Sequence, residues 1–497
     1  MMDLTKLRND IDVVDKELVK LFIARMNLAG EVAKYKQAHG LPIHVPAREE
    51  EKLCQVAQQS GPHMAAYTQR LYEAIFSLSR DYQQRCMDRP VCGLIGRKLG
   101  HSYSPRIHSL LGDYSYDRYE LEPEELENFL HHGPLTGFNV TMPYKTAVIP
   151  YLDELSPIAQ RLGAVNTVVR RADGTLIGHN TDHFGFQTML RQSRLQVSGK
   201  KVLVLGSGGA SRPVRAVLEE AGAIVVVISR NGENHYDNLS LHSDAAVIVN
   251  TTPVGMYPDT GVSPIDLDLF PNLQGVLDII FNPAQTKLLL DAKARGIVAM
   301  NGLLMLVAQA KEASEWFTGK QIHDSRITEI YGQLMQDTKN IALIGMPGSG
   351  KSTIASLLSR KLRRTIVDVD HLIEIEAGKS IPEIFVEDGE ASFRDLETKV
   401  LEHWAKESGL IIDAGGGCVI RSENLPLLKQ NSWIVWIDRD MGQLATEGRP
   451  LSLAMPLTEM WDQRKPLYEA FADIRITNDR TAEEACEKIN ALWEECL

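Results

Sequence analysis

Three sets of residues have types and spacings that could do chemistry. Gly345-Met-Pro-Gly348-Ser349-Gly350-Lys351-Ser352-Thr353 follows the apolar run Asn340–Ile344 and precedes a helical pattern. Backbone N–H groups in such a loop point inward and cradle phosphate. Lys351 then reaches the terminal phosphates and Ser352 ligates Mg2+, so ATP with magnesium is the expected cofactor. A second loop, Gly206-Ser207-Gly208-Gly209-Ala210-Ser211, follows Val202–Leu205 and opens another helix. It reads as a dinucleotide loop with Ser211 in the place of the third glycine. The next strand ends at Ile228-Ser229-Arg230-Asn231, where an NAD site would carry Asp or Glu. Arg230 suits a 2′-phosphate instead, so NADP(H) is expected. Third, Arg25 and Lys36 stand eleven residues apart. At about 100° per residue they share one helix face, as do Ser79 and Gln83 at i and i+4. Arg8, seventeen residues before Arg25, points elsewhere. The plain alternative for this third set is a dimerisation bundle with solvated charges.

The elements that must position these residues follow from periodicity. Leu4, Leu7, Ile11, Val14, Leu18 and Leu21 alternate spacings of three and four, a helical apolar stripe. The spacing predicts a helix to about Ala38, stopped at Gly40-Leu41-Pro42. A second helix is expected from Pro46 to Gln59 and a third from Ala65 to Arg85. From Val91 short β-rich runs alternate with amphipathic stretches, the texture of βα units on a parallel sheet. The texture lasts to about Gln336, and Asn340–Ile344 starts a new sheet.

The chain has 497 residues, a length for about three domains. Its apolar (44%) and charged (24%) fractions are those of a globular protein. A net charge of -12 argues against nucleic acid or anionic membrane as partner, so anionic substrates must be held by local Arg and Lys clusters. Cys54, Cys86, Cys92, Cys418, Cys486 and Cys496 are scattered without a C-x-x-C pair, as expected of reduced thiols in the cytoplasm. Neither a signal-peptide core at the N-terminus nor a span-length apolar run is visible.

Further motifs carry resemblances to known families. Asp368-Val-Asp370, Phe393-Arg394-Asp-Leu-Glu397, Asp413-Ala-Gly415-Gly416-Gly417 and Arg464-Lys-Pro466-Leu-Tyr468 follow the phosphate loop in order. Over 337–497 the chain resembles shikimate kinase. The resemblance implies that Asp370 binds the shikimate hydroxyls and acts as base, and that Arg394 and Arg464 clamp the carboxylate. It places Asp368 near magnesium and shikimate against Gly416 and Gly417. Arg449 would close the lid over ATP, although Thr446 stands where the family carries Arg.

Gly100-His-Ser102-Tyr-Ser104-Pro105, Asn139-Val-Thr141-Met-Pro-Tyr-Lys145, Asn166-Thr167, Asn180-Thr-Asp182 and Gln309 are similarly ordered upstream. Over 89–336 the chain is similar to shikimate dehydrogenase, with a substrate domain at 89–190, a Rossmann NADP domain at 191–302 and closing helices at 303–336. The similarity implies Lys145 as the proton donor for the alkoxide, tuned by Asp182. Ser102, Ser104, Asn139, Thr141, Asn166 and Gln309 would bind or support the substrate, and Gly302 the cofactor. Phe281 stands where the family carries Tyr.

Residues 1–88 resemble the all-helical chorismate mutase. That resemblance implies a diaxial dicarboxylate held by Arg8, Arg25, Lys36, Arg48, Glu49, Ser79 and Gln83. Lys36 and Gln83 would stabilise charge on the ether oxygen in a pericyclic step that needs no nucleophile. Two chains interlace in that family and the first Arg serves the partner's pocket, so a homodimer is expected. Val45 replaces a common Asp. The expected whole is a multi-domain chain: an all-α bundle, an α/β dehydrogenase and an α/β P-loop kinase, acting on chorismate, 3-dehydroshikimate and shikimate. The rival is a bifunctional dehydrogenase-kinase whose bundle only regulates or dimerises.

Overall fold

The computed structural model describes residues 4–61, 64–86, 90–100, 102–444 and 456–495. The stretch expected to form a lid, with Thr446 and Arg449, lies outside the described residues. The chain divides into two compact units, one of 1–181 with 309–326, the other of 182–308 with 327–497.

The first unit opens with three helices, α1 (Leu4–Ala38), α2 (Pro46–Ser60) and α3 (Ala65–Cys86). The left-handed Gly40 (φ 64°) follows the first, and Pro46 begins the second, where its missing N–H costs nothing. The expected boundaries of all three helices agree with the structure to within two residues. The apolar stripe of α1 is exposed: Leu21 and Leu28 are 70% and 68% accessible, and Ile11, Val14, Leu18 and Tyr35 are also open. Among its described residues the buried ones are all small: Ala29, Gly30 and Ala33.

Then follow β1 (Val91–Gly96), α4 (Ser104–Leu111), β2 (Ser115–Glu120), α5 (Leu126–His132) and β3 (Gly137–Val140). After them come β4 (Glu154–Leu155), α6 (Pro157–Leu162), β5 (Thr167–Arg170) and β6 (Leu176–His179). These strands make one sheet in the order β2-β1-β3-β5-β6-β4. β1 pairs parallel with β2 and β3, while β5 runs antiparallel to both β3 and β6.

The second unit opens with α7 (Asp182–Ser193), β7 (Lys201–Leu205), α8 (Ser211–Glu220), β8 (Ile224–Ile228) and β9 (Val247–Asn250). β10 (Gly275–Asp278), α9 (Lys287–Ala294) and β11 (Val298–Met300) follow; α10 (Leu303–Thr318) passes into the first unit at residue 309, and α11 (Ser325–Thr338) returns to the second at 327. A five-stranded parallel sheet has the order β11-β10-β9-β7-β8. β7 is buried along almost all its length, as strands covered on both faces are.

The last stretch holds β12 (Asn340–Ile344), α12 (Lys351–Leu362), β13 (Ile366–Asp368), α13 (Val369–Ala377), α14 (Ile381–Glu387) and α15 (Gly389–Trp404). It ends with β14 (Ile411–Asp413), α16 (Asn424–Lys429), β15 (Ser432–Asp438), α17 (Leu457–Phe471), β16 (Ile474–Thr477) and α18 (Ala482–Glu495). Its parallel sheet runs β13-β14-β12-β15-β16. Two apolar clusters cover it, one around Trp436, Phe393 and Tyr468, the other around Trp433, Ile354 and Trp493. In both parallel sheets a glycine loop leaves the carboxyl end of the strand where the order switches direction, β7 or β12. Ligands of open α/β sheets bind at such a crevice.

Candidate active sites

The phosphate loop is built by backbone geometry. Gly345, Gly348 and Gly350 all have positive φ (145°, 88° and 94°). A Cβ on Gly345 would lie 2.2 Å from the Ile437 carbonyl oxygen, so no side chain fits there. Asn478 Nδ2 donates to Ser349 O at 2.7 Å and ties the loop to the chain after β16. Lys351, the first residue of α12, is buried, and its Nζ donates to Gly345 O (3.0 Å) and Met346 O (3.2 Å). Ser352 Oγ donates to Asp413 Oδ2 at 2.6 Å, at the end of β14. Hydroxyl and carboxylate oxygens of this kind fit magnesium, which keeps water and phosphate oxygens for the rest of its shell. Asp368 caps α13 by accepting from His371 N at 3.1 Å.

A cavity of about 310 Å³ adjoins the loop. Lys351, Ser352, Asp370, Arg394, Asp413, Gly416, Gly417 and Arg464 line it together. Arg394 is buried, with Nη1 donating to Glu397 Oε2 (3.1 Å) and Nη2 to Glu390 Oε1 (3.0 Å). Arg464 Nη1 and Tyr468 OH both donate to Gly416 O, at 2.9 and 2.6 Å. Asp370 is accessible from the cavity but crowded by protein on most sides, and that crowding sets its titration. Burial pushes its carboxyl up to about 6, with Lys351 pulling it down and Asp413 and Asp368 adding to the rise. Burial likewise pushes Glu397 up to about 7 against the pull of Arg394. Asp370 sits in the first turn of α13 and not at the end of the strand, because Asp368 ends β13 and starts that helix.

In the first unit the expected substrate residues converge at the ends of β3, β5 and β6. Thr181 N donates to Asn166 Oδ1 at 2.7 Å, and Asn166 Nδ2 donates to Thr181 Oγ1 (3.0 Å) and Gln309 Oε1 (3.4 Å). Asn139 is fully committed to protein. Its Oδ1 accepts from Tyr116 OH at 2.7 Å, and its Nδ2 donates to Asn166 O (3.2 Å) and Thr167 Oγ1 (3.1 Å). It therefore braces Asn166. Ser104 is buried at the start of α4, and its N donates to Ser102 Oγ at 3.3 Å. Thr141 N donates to Ile95 O at 3.0 Å. Val165 N donates to Lys145 O at 2.7 Å, which fixes the Lys145 backbone beside Asn166.

In the second unit Asp182 begins α7 and is buried. The dinucleotide loop turns at Gly206 (φ 101°), whose N donates to Ile228 O at 2.8 Å. A Cβ on Gly208 or Gly209 would meet nothing within 4 Å, so backbone there is open to a pyrophosphate. Ser207 and Ala210 complete the turn into α8, whose first residue, Ser211, donates its hydroxyl to Gly208 O at 2.7 Å. Ser229 N donates to Asn234 O at 3.0 Å, and Arg230 and Asn231 are exposed just beyond β8. Gly302 lies where a Cβ would fall 2.0 Å from Ile279 O. Arg230 and the open loop together fit NADP.

The helical residues are brought together in part. Lys36 Nζ donates to Ile43 O at 2.6 Å, and burial lowers its pKa while Glu49 opposes the fall. Gln83 Nε2 donates to Ser79 Oγ at 3.3 Å, and both side chains are buried. Gln83 Oε1 and Arg25 Nη1 are buried without hydrogen-bond partners. Arg25 lies over the Phe76 ring, 5.8 Å from its centroid. Arg48 is turned outward to Glu51 (2.6 Å), and Arg8 is exposed.

Relatives place the middle of the chain. It is 35% identical over 264 residues to the shikimate dehydrogenase (NADP(+)) of Clostridium perfringens (strain 13 / Type A), covering 49% of this chain and 97% of the relative. The chain belongs to the shikimate dehydrogenase family. The enzyme of the same name from Shouchella clausii (strain KSM-K16) is 40% identical over 256 residues, 46% of this chain and 93% of that one. A solved structure, a chorismate mutase/shikimate 5-dehydrogenase fusion protein from Clostridium acetobutylicum, matches with 37% identity and a TM-score of 0.47. That match covers 49% of this chain and 97% of the other. The family model for the shikimate dehydrogenase substrate binding domain matches 94–168. The model for chorismate mutase type II matches 7–84 and that for shikimate kinase matches 347–493. Chorismate mutase, shikimate dehydrogenase and shikimate kinase domains are thus all present.

Several residues around these sites escaped the sequence reading. In the kinase domain, Asp413 bonds Ser352 and Glu397 aligns Arg394. Both lie inside recognised motifs, and the strand-end position of Asp413 was the available signal. In the dehydrogenase domain, Thr181 joins Asn166 to Gln309. In the mutase domain, Glu49 accepts from Arg80 at 2.7 and 2.9 Å. No spacing rule exposes a partner 31 residues away.

Proposed function

We propose that the chain catalyses three reactions: rearrangement of chorismate to prephenate, reduction of 3-dehydroshikimate to shikimate, and phosphorylation of shikimate to shikimate 3-phosphate. The observation that carries this reading is the kinase cavity. Two buried guanidiniums, Arg394 and Arg464, share it with Asp370 and the phosphate-loop Lys351. It therefore offers a carboxylate clamp, a hydroxyl acceptor and a phosphate cradle within one small volume.

NADPH bound at the Gly206 loop supplies a hydride, and MgATP bound at the Gly345 loop supplies a phosphoryl group. Gly206, Ser207, Gly208, Gly209 and Ala210 would hold the pyrophosphate and Arg230 the 2′-phosphate, with Ser229, Asn231 and Gly302 shaping the pocket. Lys145 gives a proton to the oxygen of the reduced ketone, assisted by Asp182. Ser102, Ser104, Thr141, Asn166 and Gln309 hold the substrate, with Asn139 behind them. In the kinase Asp370 accepts the shikimate hydroxyl proton, while Arg394 and Arg464 hold its carboxylate. Ser352 and Asp368 serve the metal. In the mutase Lys36 and Gln83 meet the ether oxygen, and Arg25, Arg48, Glu49 and Ser79 complete the site.

The exposed α1 stripe supports a homodimer through the helical domain, in which Arg8 serves the partner's pocket. Each such Val, Leu or Ile contributes about 1.5–3 kcal/mol on full burial. Cys54, Cys86, Cys92, Cys418 and Cys486 are all free thiols, which favours the cytoplasm. Among the described residues no helix is long and apolar enough to cross a membrane. The test of the kinase reading is shikimate turnover with MgATP by the full chain and by Arg464→Ala. The variant should lose at least tenfold in kcat/KM, and equal activity would overturn the clamp. Prephenate formation from chorismate tests the mutase, whereas binding without turnover would make the bundle a regulatory module.

A further inference from the structure

Within the first unit α3 packs against β1 and β2 of the dehydrogenase sheet. One side chain joins the two domains. Arg80, on α3 between Ser79 and Gln83, donates from Nη1 to both oxygens of Glu49 on α2, at 2.9 and 2.7 Å. Its Nη2 donates to Asp117 Oδ1 on β2 at 3.4 Å. The three side chains are between 18% and 24% accessible, so water screens them little. Burial disfavours the Arg80 cation, but Asp117 and Glu49 together outweigh it, and its pKa ends above the ordinary arginine value. The next residue on the same helix, Asp81, accepts at Oδ2 from Tyr119 OH at 3.2 Å, a second tie from the dehydrogenase sheet.

We propose that Arg80 is a positioning residue of the mutase site, and that Asp117 of the dehydrogenase domain sets it. The inference rests on the reading of Glu49 as a residue of that site. A bare carboxylate beside a dicarboxylate substrate would repel it; a guanidinium on Glu49 offsets that repulsion. One nitrogen shared by both Glu49 oxygens fixes the carboxylate plane and leaves lone pairs for a substrate hydroxyl. Asp117 holds the other arm of the fork, so the guanidinium cannot swing away. The dehydrogenase sheet therefore completes the second layer of the mutase pocket, and mutase activity depends on a residue outside the mutase fold.

The experiment compares the full-length protein with Arg80→Gln, Arg80→Lys, Asp117→Asn and the double variant Arg80→Gln/Asp117→Asn. Mutase kcat and KM and dehydrogenase kcat/KM are measured on each. Arg80→Gln should lower mutase kcat/KM about tenfold or more, mostly through KM, and Asp117→Asn about three- to fivefold. The double variant should fall no further than Arg80→Gln, because the two act as one unit. Dehydrogenase kcat/KM should stay within twofold throughout, which separates positioning from unfolding. Arg80→Lys should recover only part of the loss, since an ammonium cannot fork. Unchanged mutase kinetics in Asp117→Asn, or additive losses in the double variant, overturn the proposal. If the wild type binds chorismate without converting it, the reading of the bundle as an enzyme fails. Chorismate Kd by calorimetry then decides the Arg80 claim on the same variants, with the same ordering expected and equal Kd values overturning it.

Discussion

Arg394 shows how one residue makes a site. It is buried, paired with Glu397 and Glu390, and packed so closely that a Cβ on Gly417 would fall 2.0 Å from its Nη1. Gly417→Ala must push the guanidinium off the cavity. The KM for shikimate should rise about tenfold, roughly 1.4 kcal/mol, with the protein still folded. Lys145→Ala should cost about 10²–10⁴ in NADPH oxidation with 3-dehydroshikimate, the usual yield of a lost proton donor. Asp278 gives a stability prediction. It is buried at the end of β10 and accepts from Asn250 Nδ2 (3.0 Å), Ile280 N (3.1 Å) and Thr286 Oγ1 (2.7 Å). Burial still pushes it up to about 7. A carboxyl with a raised folded pKa holds its proton longer in the folded state, so its stabilisation is full at low pH and fades as pH climbs toward 7. Relative to wild type, Asp278→Asn should therefore gain stability between pH 5 and pH 8, measured by denaturant midpoints. A constant difference across that range would contradict it. At this scale the sequence reading named residues that sit in contiguous motifs, such as Lys351, Asp370 and Arg464, which line one cavity. It could not find Arg80, whose two partners lie 31 and 37 residues away on other elements.

Elements were more legible than residues. The α1 stripe, the breaker at Gly40 and the βαβ unit from Lys201 to Ile228 rest on local periodicity, and local periodicity survives folding. The register of the six-stranded sheet did not show, because antiparallel β5 enters a parallel set through contacts distant in sequence. The end of β13 at Asp368 was not legible to the residue: its carboxylate caps α13, which puts Asp370 in the first helical turn. The exposed α1 stripe leads to an element-scale prediction. Leu18→Asp with Leu21→Asp places two charges on that face, and burying them against a second copy would cost several kcal/mol. Light scattering should show loss of the dimer, with mutase activity lost and the dehydrogenase and kinase reactions kept. A dimer that persists would remove α1 from the interface.

At the scale of the molecule the three domains differ in what supports them. The dehydrogenase has family membership and a continuous buried network through Asn139, Asn166 and Gln309. The kinase has a cavity that gathers every expected acceptor residue. In the mutase domain Lys36 bonds Ile43 O and Gln83 bonds Ser79, while Arg8 is exposed. The dehydrogenase and kinase are chemically consecutive, since one makes the hydroxyl that the other phosphorylates. The mutase substrate lies beyond the kinase product. The most direct measurement gives the full-length protein 3-dehydroshikimate, NADPH and MgATP and follows product by mass. Shikimate 3-phosphate should accumulate at the expense of both cofactors, and Lys351→Ala should stop the sequence at shikimate. Absence of shikimate 3-phosphate from the wild-type reaction, with NADPH consumed or not, would contradict the account.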